Sequence, residues 1–127
     1  MFGLTNQANS HVGSPGLTKD ERHRLTAAET VVGAYPVLVF DHISELYDGP
    51  STFRTLAMLK EYAHVRQTVV VCSLQWPTQD VFNLFDCVIV LNSGRVVYQG
   101  PTACSTSYFV DLGYESYISE GAVVYML

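Results

Sequence analysis

Residues 35–52 read YPVLVFDHISELYDGPST. Pro36 opens the segment, and Val37, Leu38, Val39 and Phe40 form a short apolar run, rich in β-branched residues, that closes on Asp41. A run of this kind predicts a strand buried on both faces of a parallel sheet, with the Asp41 carboxylate delivered to the sheet's carboxyl edge. Ligands of open α/β sheets sit beyond that edge, where an aspartate commonly holds Mg²⁺ for a nucleotide phosphate. Aspartate also caps turns, and the segment by itself leaves both roles open.

Downstream, residues 42–49 read as a loop. Pro50 then suits a first helical turn, where its missing amide would have had no partner, and a helix is expected over 51–63. Its Phe53, Leu56, Ala57, Leu59 and Lys60 give the mixed face of a helix laid on a sheet. TVVVCS at 68–73 predicts a second all-apolar strand, LQWP at 74–77 leaves its carboxyl end, and residues 79–85 form a short helix. CVIVL at 87–91 and VVYQG at 96–100 flank the turn residues Asn92, Ser93, Gly94 and Arg95, which predicts a hairpin with a positive φ at Gly94. A last helix starts at Thr102 and ends near Leu112 and Gly113, and residues 114–127 are weakly patterned.

Upstream, residues 1–17 are loop-like, punctuated by GSPG at 13–16. Thr18, Lys19, Asp20 and Glu21 fit a capping box, in which the Thr18 hydroxyl accepts from the Glu21 amide and the Glu21 carboxylate reaches back to the Thr18 amide. A helix is therefore expected to about Val32, with Gly33 as its stop and Leu25, Ala28 and Val32 on a partly buried face. Strand, helix, strand, helix and hairpin make an α/β fold with a mostly parallel sheet, flanking helices and a C-terminal β-hairpin.

Composition narrows the function classes. The 127 residues carry a net charge of −5, with 48% hydrophobic and 15% charged residues, which suits one globular domain. No basic run or stripe appears that could track phosphates, so a nucleic-acid partner is not expected. Cys72, Cys87 and Cys104 are odd in number and lack C-x-x-C pairing; Cys72 and Cys87 sit in apolar runs and read as small buried hydrophobes. His11, His23, His42 and His64 lack the close spacing of zinc ligands. No stretch reads as a signal peptide, and no apolar run approaches the ~20 residues that span a bilayer, so a membrane connection is expected only through a partner.

Several strings, taken in order, resemble the C-terminal half of an ATP-binding-cassette (ABC) nucleotide-binding domain, and most of all the G subfamily of pleiotropic-drug-resistance type. LTKDERHRLT (17–26) is similar to the family's signature helix VSGGERKR followed by Val or Leu and Thr. VLVFDHISELYDGPSTF (37–53) resembles its Walker B stretch, an apolar run followed by DEISTGLDSSTTF. SLQWP (73–77) and FNLFD (82–86) resemble the switch-loop segment and the helix after it, and VIVLNSGRVVYQGP (88–101) the closing hairpin. YFVDLG (108–113) is similar to the family's YFESLG. The similarity covers roughly residues 17–101, so residues 18–113 are expected to form a partial nucleotide-binding domain of the P-loop NTPase class, between the loop-like 1–17 and the tail 114–127.

The resemblance implies ATP and Mg²⁺ as cofactors and ATP-driven export of lipophilic compounds as the parent activity. Asp41 takes the position of the Mg²⁺-holding aspartate, acting through water, and His42 that of the general-base glutamate. Thr18, Asp48 and Gln75 match positions near the phosphates. The departures are as informative. The sequence holds no G-x-x-x-x-G-K-S/T, so the amide cradle and lysine that bind phosphates are not among these residues. The signature's Ser-Gly-Gly is Thr18, Lys19 and Asp20, which sets side chains and a negative charge where amides would approach a γ-phosphate. The chain alone is thus expected not to hydrolyse ATP and not to bind it. Its expected partner is another nucleotide-binding domain or a transporter's transmembrane domain, on the cytoplasmic side of a membrane, or else the chain is cytoplasmic. The alternative is a non-catalytic interaction module or a non-functional remnant that packs on such a domain.

Overall fold

The computed structural model of the chain describes residues 3–13, 16–43 and 49–114. After a 3-10 turn at Thr5–Gln7, the elements are α1 (Lys19–Val32), β1 (Val37–Phe40), α2 (Gly49–Arg66), β2 (Val69–Cys72), α3 (Gln79–Phe82), β3 (Cys87–Asn92), β4 (Arg95–Pro101) and α4 (Thr102–Asp111). The expected order is therefore present. The expected single, mostly parallel sheet is not, among the described residues: β1 and β2 pair in parallel, and β3 and β4 form a separate antiparallel pair.

α1 begins as its sequence dictates. The Glu21 amide donates to the Thr18 hydroxyl at 3.2 Å, and the Thr18 amide donates to Glu21 Oε2 at 2.8 Å. Its end differs in mechanism from the expected glycine stop. Gly33 keeps a right-handed φ of −62°, and the left-handed residue is Ala34 at φ 51°. A Cβ at Gly33 would stand 2.3 Å from the exposed Tyr35 ring, which would have to swing aside to admit it. The buried positions are Ala27 and Val31, whereas Val32 is exposed, so the inward face lies one residue earlier than the pattern suggested.

β1 and β2 run in register from Val37 opposite Val69 to Phe40 opposite Cys72, joined by α2 as a parallel pair requires. Leu38 and Cys72 are buried, and with Phe40 and Val70 they pack against Val31 of α1 and Leu56, Leu59 and Tyr62 of α2. The Tyr62 hydroxyl donates to the Val31 carbonyl at 3.1 Å and so ties α2 to α1. The other face is bare: Val37 is 50% exposed, Val39 65% and Val69 57%. This corrects the expectation of a strand buried on both faces, since among the described residues helices cover only one side of the pair.

The remaining differences lie at element ends. α2 runs to Arg66, beyond the expected 63, and Gln67 follows it in the left-handed region at φ 54°. α3 stops at Phe82 instead of 85. The hairpin turn is the tight pair Ser93 and Gly94, with φ of 51° and 74°, as a two-residue connection between twisted strands demands. Tyr98 packs as an aromatic, its ring 5.0 Å from that of Tyr108 and its hydroxyl donating to the Pro101 carbonyl at 2.7 Å. Cys72 is buried and its thiol is pushed up to about 12 by that burial, but Cys87, also expected inside, is exposed at the start of β3.

Candidate functional site

The carboxyl ends of β1 and β2 lie side by side, because the parallel register brings Phe40 opposite Cys72. Asp41 and Ser73 follow those two residues directly. The Ser73 amide donates to the Phe40 carbonyl at 2.9 Å, which extends the ladder by one bond. The Ser73 hydroxyl then links the two strand ends: it donates to Asp41 Oδ1 and accepts from the His42 amide at 2.7 Å. His42 Nε2 lies 3.8 Å from the same Oδ1, close enough for an ion pair when the imidazole is protonated.

His42 adopts φ 52°, a conformation that costs a non-glycine residue roughly 1–2 kcal/mol. Its amide bond to Ser73 helps to hold that conformation. The proton of the Ser73 hydroxyl is directed at the Asp41 carboxylate. Its geometry ties strand ends together and leaves the Asp41 side chain 80% exposed.

Mg²⁺ is ordinarily held by one or two carboxylates together with phosphate oxygens and water. The cluster offers a single carboxylate, and one of its oxygens already accepts from Ser73. Among the described residues no group of three or more His, Cys, Asp or Glu side chains could hold a metal ion. Among the described residues Asp41 is thus placed to contribute one ligand to a Mg²⁺ site built mostly from elsewhere.

The other expected positions separate in the structure. Gln75 is half-buried two residues past Ser73, and Trp76 after it turns at φ 50° and is 62% exposed. Thr18 is engaged in the cap of α1, where its hydroxyl also donates to Glu21 Oε2 at 2.8 Å. Those bonds from Thr18 hold the Glu21 carboxyl below the usual carboxylate range. Asp48 lies outside the described residues. Asp41 and His42 are thus brought together through Ser73, a residue to which the sequence reading assigned no role. Its only signal was its place at the head of SLQWP, since a hydroxyl's partners across more than thirty residues have no local signature.

Fold and cluster together define a mixed α/β unit with an acidic strand end. No protein-family model matches the chain. Individual relatives do. The chain is 34% identical over 118 residues to ABC transporter G family member 43 of Arabidopsis thaliana, covering 91% of this chain and 8% of that protein. It is 33% identical over 118 residues to ABC transporter G family member 49 of Oryza sativa subsp. japonica, and 32% identical over 118 residues to G family member 15 of Dictyostelium discoideum, with the same coverage. Homology along nine-tenths of its length makes this chain a fragment of the ABC transporter G family type. It spans about 8% of the length of the curated relatives it matches.

Proposed function

We propose that residues 18–113 are the C-terminal part of an ABC nucleotide-binding domain that keeps the scaffold but does not turn over ATP by itself. Its role is to pack against another nucleotide-binding domain or the transmembrane part of a transporter, on the cytoplasmic side of a membrane. Export of lipophilic compounds is the activity that the family resemblance assigns to the whole transporter, within which this chain contributes contacts and not chemistry.

The observation that carries this reading is the state of Asp41. It stands where a Mg²⁺ ligand belongs, yet its oxygen accepts from Ser73 and its neighbour is His42 in place of a glutamate. One feature supports the packing role. The bare face of Val37, Val39 and Val69 is apolar surface that isolated domains rarely leave exposed. Among the described residues no helix is long and apolar enough to cross a membrane.

The test is ATP hydrolysis by an intact nucleotide-binding domain of the same subfamily, with and without the purified chain. The expected result is no turnover by the chain alone and an altered rate for the intact domain when the chain is added. Turnover by the chain alone refutes the proposal. An unchanged rate for the intact domain removes its packing half.

A further inference from the structure

We draw no further inference here: the strongest candidate, the exposed apolar patch of Tyr108, Leu112 and Tyr114 at and just past the carboxyl end of α4, carries none because nothing among the described residues shows what covers it.

Discussion

Replacing Ser73 with alanine removes a side chain that joins the ends of β1 and β2, and its cost follows from the two bonds lost. The bond to Asp41 lies at a side chain 80% exposed, where water replaces it and little stability is lost. The bond from the half-buried His42 amide is worth about 0.5–1.5 kcal/mol, and losing it leaves a donor with no acceptor at that place. Part of the loss is returned as His42 relaxes from its left-handed conformation. The net expectation is a destabilisation of about 1 kcal/mol, which shifts a urea midpoint by roughly 0.5 M at the slope usual for a small domain. Asp41→Asn keeps an acceptor oxygen for the Ser73 hydroxyl and should shift the midpoint far less. Urea unfolding of the three proteins side by side is the assay. An unshifted Ser73→Ala midpoint, or an Asp41→Asn change of equal size, would refute the view that Ser73 acts as the tie through the His42 amide.

Glu21→Gln should flatten the acid side of the stability profile. The folded carboxyl titrates below its ordinary value of 4.5, so its contribution is present above that value and is lost as pH falls through the lower, folded one; unfolding at a series of acidic pH values checks this. Iodoacetamide at neutral pH should modify Cys87 and Cys104 in the native chain and reach Cys72 only after unfolding, as mass spectrometry of the products will report. His42→Glu restores the family's residue without restoring a phosphate cradle, and a phosphate-release assay is expected to read no ATP hydrolysis above buffer.

Element order was legible because each signal is local. The Thr18 and Glu21 box, the paired apolar runs and the Ser93–Gly94 turn each need only a few neighbouring residues. Exposure was not legible in the same way. An all-apolar run such as VLVF states that burial is favourable, but which face is covered depends on what packs there, and here α1 and α2 cover only the Leu38 side. The same limit explains Cys87, whose apolar run borders a cavity.

The site divides along similar lines. Asp41 could be placed at a strand end from sequence, since that placement follows from the run before it. Its bond with Ser73 could not, because it depends on the register of two strands brought together by α2. The left-handed turns at Ala34, His42, Gln67 and Trp76 carry no glycine to announce them. They are set by the structure around them and not by the residues that adopt them.

On the reading proposed above, this chain keeps the scaffold of a nucleotide-binding domain without holding nucleotide. The most direct measurement is titration of the purified chain with a fluorescent ATP analogue and Mg²⁺, followed by anisotropy, with Asp41→Asn alongside. Flat titrations are expected for both if that reading holds. Saturable binding by the chain that weakens in Asp41→Asn would contradict it, and would make the Asp41, His42 and Ser73 cluster a working phosphate site.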